Sequence, residues 1–193
     1  MQIATIGFRT KTARAIAIAL MGNASPDYLA RWEVALHDPK APATKQPHHE
    51  VMELSWAEAQ SAVQPLERRI EVVAASMLEG LLIELRARGY KVSGIGVVGS
   101  PDRKLDRIGN PHIRAHAAEG VLYRRAIETA AARHQLQCRG FSDRDFEELA
   151  FPQLRRKPQE IRKTLEEIGK KAGRPWRTDE RAAAIAAWLM IPD

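Results

Sequence analysis

Residues 4–20 read ATIGFRTKTARAIAIAL, two apolar stretches separated by a short polar turn. Ile6 and Phe8 alternate with small residues before the turn, and residues 14–21 after it are apolar and rich in isoleucine. The turn itself is the polar run TKT at 10–12. Two β-prone stretches joined in this way predict a β-hairpin at the start of the chain.

The composition predicts a folded chain that stays in the cytoplasm. A length of 193 residues favours one domain, 1–193, whose C-terminal part, 142–193, is helical. With one cysteine, Cys138, an intrachain disulfide and a cysteine zinc site are excluded. The first residues lack the pattern of a secretory signal, and no apolar run is long enough to span a membrane.

Apolar patterns after the hairpin extend it to a mixed α/β fold. Further strands are predicted at 28–36, 91–100 and 136–141, and helices at 66–85, 111–134, 158–171 and 178–190. The order β-β-β-α-β-α-β-α-α predicts a mixed five-stranded sheet with helices on both faces. The glycine-punctuated apolar run at 91–100 is predicted to lie centrally, between the first and fifth strands.

Three segments of the sequence resemble segments of a known protein family. They are TIGFRTKTARAIAIAL at 5–20, HAAEGVLYRRAIETAAARH at 116–134 and PWRTDERAAAIAAWLM at 175–190. They resemble the first hairpin, the helix after the fourth strand and the closing helix of bacterial Holliday-junction resolvases. The resemblance implies a ribonuclease H-like fold and a nucleic-acid partner.

The resemblance also implies a catalytic site, which this sequence does not match. In that family, acidic residues hold two divalent ions. Arg9 stands at the position of the first-strand aspartate, and the fourth strand ends in GIGVVGS without a glutamate. The nearest acid there is Asp102, and the closing helix keeps Asp179 and Glu180. Because an arginine at the central position repels metal ions, we expect the two-metal mechanism to be lost.

The chain is basic, which favours an anionic partner. Its formal charge is +6 and its sequence pI is about 9.7. Cations can clamp phosphate, and an aromatic side chain among them can stack on an unpaired base. The anion-binding candidates are Arg9, Lys11, Ser100, Arg155, Arg156, Lys157, Lys170, Lys171, Trp176 and Arg177. The alternative for the basic residues is an ordinary solvated surface.

Two other groups carry candidate chemistry. His37, Asp38 and Asp102 are predicted near the ends of parallel strands, where open α/β sheets bind ligands, and are the catalytic candidates. His112 and His116 share one flank of a predicted helix with Glu119, and two imidazoles with a carboxylate suit a divalent metal. The alternative for this second group is hydrogen bonding at the start of the helix.

The sequence therefore predicts a catalytically degenerate ribonuclease H-like protein that binds nucleic acid or another phosphate-bearing ligand. One alternative is a metal-dependent nuclease or phosphoester hydrolase with a His/Asp site, and a second is a protein-interaction or assembly module. Whether the chain is an enzyme is left open, as is a homodimer. No cofactor is expected, with a divalent metal as the exception under the enzyme alternative, and no membrane partner is expected.

Overall fold

The predicted hairpin opens the chain. A computed structural model of the protein describes residues 1–22 and 25–192. Strands β1 (Gln2–Lys11) and β2 (Arg14–Met21) pair antiparallel. Ala13 makes the turn between them with a φ of 62°, in the left-handed region. The prediction made from the opening residues is confirmed.

The predicted mixed five-stranded sheet is also confirmed. Its other strands are β3 (Asp27–Ala35), β4 (Tyr90–Gly99) and β5 (Gln137–Ser142), and the order across the sheet is β3-β2-β1-β4-β5. β4 pairs in parallel with β1 on one side and β5 on the other, as predicted. Since β2 alone runs opposite to the other four strands, those four strands end at one edge, which we call the carboxyl edge.

Helices α1 (Trp56–Ala87) and α2 (Pro111–Arg133) cover one face of the sheet. α1 begins ten residues before its apolar pattern, because the Ser55 and Glu58 side chains each bond the other's backbone N–H in a capping box. Pro65 is accommodated inside the helix. Among the described residues, no helix combines the length and the apolarity needed to cross a bilayer.

Helices α3 (Phe146–Ala150), α4 (Pro158–Ala172) and α5 (Thr178–Trp188) form a second core on the other face. α4 and α5 are the two closing helices predicted from the sequence, and α5 ends two residues before its predicted end. The short α3 was not predicted. Short 3-10 turns lie at Pro42–Lys45, Leu105–Arg107 and Phe151–Leu154.

α5 lies directly on the backbone of β1. The Thr5 hydroxyl donates to the Ala187 carbonyl at 2.7 Å, and a Cβ at Gly7 would overlap the Ala183 carbonyl. These contacts are two residues apart on β1, a rise of about 6.6 Å, and four residues apart on α5, a rise of about 6.0 Å. Because the two rises are nearly equal, every second residue of β1 meets every fourth residue of α5. The next step of this series brings Asp179 to Arg9. We call this line of contacts the α5 seam.

Candidate functional sites at the carboxyl edge

Four charged side chains meet where the α5 seam reaches the carboxyl edge. Arg9 Nη2 lies 3.1 Å from Asp143 Oδ2, and Arg9 Nε lies 3.4 Å from Asp179 Oδ1. Lys11 Nζ lies 3.1 Å from the same Asp179 oxygen. The Arg9 side chain is 14% exposed. We call these four residues the Arg–Asp cluster; its two cations and two carboxylates cancel in formal charge.

The acids of α5 are thus already engaged by the protein. Asp179 pairs with both cations of the Arg–Asp cluster, and the buried Glu180 accepts the Arg177 backbone N–H at 2.9 Å at the start of the helix. A divalent ion would have to displace the Arg9 guanidinium and the Lys11 ammonium from these carboxylates. The position of Arg9 at the end of the first strand is as predicted; the sequence alone did not reveal its two partners.

The predicted catalytic candidates contact three different parts of the chain. His37 Nδ1 lies 3.2 Å from the Ala13 carbonyl in the hairpin turn. Asp38 pairs with Arg69 of α1 at 3.1 Å. Asp102 pairs with two consecutive arginines of α2, Arg124 and Arg125. These contacts leave the three residues without a shared interaction.

Ser100 follows β4 and serves the packing of α2. A Cβ at Gly120 would overlap the Ser100 hydroxyl, so the two elements approach closely here. The Ser100 carbonyl accepts a hydrogen bond from Arg124 Nε at 2.9 Å.

The predicted basic residues of the C-terminal third are distributed over separate places. Arg177 lies beside the Arg–Asp cluster at the carboxyl edge. Arg155 and Arg156 border a groove with Gln137, at the opposite end of β5. Lys171 pairs with an aspartate at the start of β3, on the far side of the sheet. Lys157 precedes α4, and Lys170 lies in its last turn.

Trp176 is half-buried. Its indole packs on Gly169 of α4, where a Cβ would lie 2.6 Å from Trp176 Nε1. The ring also contacts the second core. Part of the surface that was predicted to stack on a base is therefore used for packing α4 against the segment before α5.

A cluster of three histidines lies between α2 and the long loop after β3. Asn110 caps α2 by accepting the Ile113 N–H at 3.0 Å, and the helix then presents His112 and His116 one turn apart. His49 comes from the loop. One ligand atom from each histidine lies within 4.8 Å of the others, and the ring centroids are 4.4 to 5.0 Å apart. We call these residues the histidine cluster.

Glu119 lies beneath the histidine cluster and holds His49. Its side chain is fully buried, and its Oε1 atom lies 2.8 Å from His49 Nδ1 and 3.3 Å from the His49 backbone nitrogen. Glu119 Oε2 and His49 Nε2 are buried without a hydrogen-bond partner among the described residues. The sequence grouped Glu119 with His112 and His116 as ligands; the structure instead brings His49 to them, with Glu119 behind it.

The loop that carries His49 is fixed from α2. The Tyr123 hydroxyl lies within hydrogen-bond distance of the Thr44 and Lys45 carbonyls. Burial, together with the nearby charge of Glu119, raises the pKa of Tyr123 above its usual range. The next residue before His49, His48, is buried and stacks on Trp56. The sequence offered no spacing rule for His49 because it lies 63 residues before His112.

A basic loop joins β4 to α2 at the carboxyl edge. Residues 101–110 carry Arg103, Lys104 and Arg107, all exposed and without an ion pair among the described residues. Asp102 in the same loop is occupied by the arginines of α2. The sequence analysis predicted this segment only as a polar loop. Its three cations within five positions could have indicated an anion-binding segment.

The sheet order, its single antiparallel inner strand and the helices on both faces define a ribonuclease H-like α/β fold. Solved structures that share it include two of RuvC. The Thermus thermophilus RuvC structure matches with a TM-score of 0.51 at 11% identity, over 96% of this chain and 92% of that one. T. thermophilus RuvC in complex with a Holliday junction substrate matches with a TM-score of 0.52 at 11% identity, over 96% of this chain and 91% of that one. No family model and no curated protein matches the sequence.

Proposed function

We propose that this chain binds nucleic acid along its phosphate backbone at the carboxyl edge, and that its Arg–Asp cluster does not cleave the bound strand. The observation that carries the proposal is the basic loop, whose three exposed cations make no ion pair among the described residues and, against the exposed Asp106, leave residues 103–107 with a net charge of +2. A formal charge of +6 and a fold shared with a RuvC structure that holds a Holliday junction substrate support it.

Phosphate neutralisation is the interaction expected from such a loop. Each cation that contacts a duplex phosphate releases condensed counterions, so affinity falls with salt by about 0.9 log units per contact and per tenfold change in salt. Contacts of this kind fix position without reading sequence. We therefore expect strong salt dependence and weak preference among DNA sequences of the same shape.

The charge arrangement of the Arg–Asp cluster supports binding without cleavage. Two-metal hydrolysis needs carboxylates free to hold two ions close together. In this chain Asp143 and Asp179 both contact Arg9, and Asp179 also contacts Lys11. The guanidinium occupies the space between the carboxylates that the ions would need.

The test of binding is fluorescence anisotropy with a labelled four-way DNA junction and a labelled duplex, from 50 to 300 mM salt with chelator present. We expect the triple variant Arg103→Glu, Lys104→Glu, Arg107→Glu to bind at least about tenfold more weakly and to flatten the log–log salt slope by about 2 to 3 units. The charge-matched control is Arg155→Glu, Lys157→Glu, Lys170→Glu, which should bind nearly as the wild type does.

Two outcomes would contradict the binding proposal in different ways. If the control variant loses binding and the loop variant keeps it, the interface lies on the C-terminal third, as the sequence predicted, and the basic loop has no part in it. If the wild type binds neither DNA at 50 mM salt, the chain is not a nucleic-acid-binding protein.

The absence of cleavage has its own test. Incubation of the same DNAs with Mg²⁺ or Mn²⁺ should leave them intact on a denaturing gel. Cleavage by the wild type that is lost in Asp179→Asn would show that the Arg–Asp cluster is a catalytic site and would overturn this part of the proposal.

A further inference from the structure

We propose that His49, His112 and His116 bind one divalent transition-metal ion, with zinc the best match, and that Glu119 orients His49 for this role. The site is separate from the Arg–Asp cluster, and it does not depend on whether the chain binds nucleic acid.

The donor set and its spacing fit such an ion. Zinc–nitrogen bonds are about 2.0 to 2.1 Å, so tetrahedral ligation places ring nitrogens about 3.4 Å apart. The donor atoms of the histidine cluster already lie within 4.8 Å of one another. His112 and His116 are exposed, so small rotations of their side chains can close the remaining gap, while His49 is held in place from below.

The hydrogen bonding of His49 selects the nitrogen that faces the ion. With Glu119 at Nδ1, the proton is held on that nitrogen and the Nε2 lone pair is left for a ligand. A carboxylate behind a metal-bound histidine is a recurrent arrangement that fixes the tautomer and raises the basicity of the ligand. The unpartnered state of His49 Nε2 in the described structure agrees with this assignment.

The buried charge of Glu119 points the same way. A fully buried carboxylate with one unpartnered oxygen is costly unless positive charge lies near it. Arg114, a cation on the same helix, extends over the Trp56 ring, at 5.4 Å from its centroid. A dication bound through His49 would supply positive charge near the Glu119 carboxylate.

The ligand chemistry also defines the ion class. Three imidazoles without a carboxylate oxygen favour zinc, cobalt, nickel or copper over magnesium and calcium. Three protein ligands leave one position of a tetrahedral site for solvent or an anionic oxygen. The exposure of His112 and His116 places that position on the solvent side.

The experiment uses the untagged 193-residue chain, stripped with chelator and dialysed. Isothermal titration calorimetry with Zn²⁺ should give one ion per chain, and Co²⁺ should produce the visible absorption of a four-coordinate site. His112→Ala and His116→Ala change exposed side chains, so the fold should survive, and each should weaken Zn²⁺ binding at least about 100-fold. Glu119→Gln should weaken it roughly 10- to 100-fold.

The control is His134→Gln, which alters a histidine at the other end of α2 and should bind Zn²⁺ as the wild type does. Mg²⁺ should give no heat of binding. The proposal is overturned if the wild type binds no Zn²⁺ at micromolar concentration, or if His112→Ala and His116→Ala bind as tightly as the wild type.

Discussion

Arg9 lies between Asp143 and Asp179 where β1 ends, with 14% of its side chain exposed. At this depth an arginine is held by both charge and geometry, since its planar guanidinium bonds one aspartate through Nη2 and approaches the other through Nε. Removing it would leave two neighbouring carboxylates that repel each other. One side chain therefore decides whether the Arg–Asp cluster is neutral or carries a net negative charge.

Arg9→Asp should convert the Arg–Asp cluster from an ion-pair network into a divalent-ion site. Without divalent ions, we expect the free energy of unfolding to fall by about 2 kcal/mol, because three carboxylates then meet and Lys11 is the remaining cation of the cluster. Mn²⁺ should restore most of this loss, since it binds the folded form only. Urea denaturation with and without Mn²⁺ measures both effects.

The control for this experiment is Arg14→Asp, which changes another arginine of the opening hairpin and breaks its exposed pair with Glu33 of β3. Its stability should change little and should not respond to Mn²⁺. If Arg9→Asp likewise shows no response to Mn²⁺, the carboxylates do not converge on a shared site.

At the scale of elements, the loop between β3 and α1 depends on α2 for its position. Tyr123 reaches two carbonyls of the 3-10 turn at Pro42–Lys45, and Glu119 one turn earlier reaches His49. The buried Thr44 hydroxyl also accepts the Asp38 N–H at 2.9 Å. A loop of this length is normally mobile, but these contacts fix it.

Tyr123→Phe should release this loop. The change removes the hydroxyl from two carbonyls, and we expect the free energy of unfolding at pH 8 to fall by about 1 to 3 kcal/mol. Amide exchange should accelerate between residues 38 and 50. Tyr28→Phe is the control, since Tyr28 has no hydroxyl hydrogen bond among the described contacts.

The raised pKa of Tyr123 adds a pH dependence. The unfolded phenol loses its proton near pH 10, whereas the folded one keeps it, so the contribution of Tyr123 is fully present below pH 10 and is lost above it. The wild type should therefore lose more stability between pH 9 and pH 11 than Tyr123→Phe does. Equal losses in the two proteins would contradict this assignment.

The α5 seam sets the distance between helix and sheet by backbone contact. Gly7→Ala should lower the free energy of unfolding by more than about 3 kcal/mol or prevent folding, because the new Cβ overlaps the Ala183 carbonyl. The matched change is Gly80→Ala, in α1, where no atom lies within 4 Å of the new Cβ. It should raise stability by roughly 0.5 to 1 kcal/mol. Thermal and urea unfolding of both variants measure the difference.

Local patterns predicted the elements better than they predicted the sites. The strands and the two closing helices were predicted from apolar periodicity, because this pattern depends only on residues that are close together in the sequence. The start of α1 was missed because the turns between Trp56 and Pro65 are mostly exposed and carry little apolar signal. Glu119 and His49 meet only because two elements pack together, and no pattern within either element encodes that contact.

At the scale of the whole molecule, the sheet separates two cores. One packs under α1 and α2, and the other under α4 and α5. On β2 the side chains alternate between them: Ala15, Ala17 and Ala19 face the first core, and Ile16, Ile18 and Leu20 face the second. This explains why the strand reads as a continuous apolar run.

Deleting residues 174–193 should prevent stable folding, although every strand remains. The deletion removes α5 and uncovers Ile18, Leu20 and Val98 in the middle of the sheet. We expect loss of the near-ultraviolet circular dichroism signal, strong binding of a hydrophobic dye and retention of some far-ultraviolet signal. Cooperative unfolding of the truncated chain in urea would show that the first core is sufficient on its own.

The α5 seam also bears on how such a chain can diverge in evolution. At Gly7 the neighbouring helix leaves room for a hydrogen atom only, so that position accepts a single amino acid. Two residues further along the same strand, Arg9 meets side chains rather than backbone, and its neighbours can change together with it. On one strand, Gly7 thus fixes the packing of α5 on the sheet, while Arg9 sets the charge at the carboxyl edge. An acidic residue and a basic residue can therefore replace one another at position 9 while the fold stays the same.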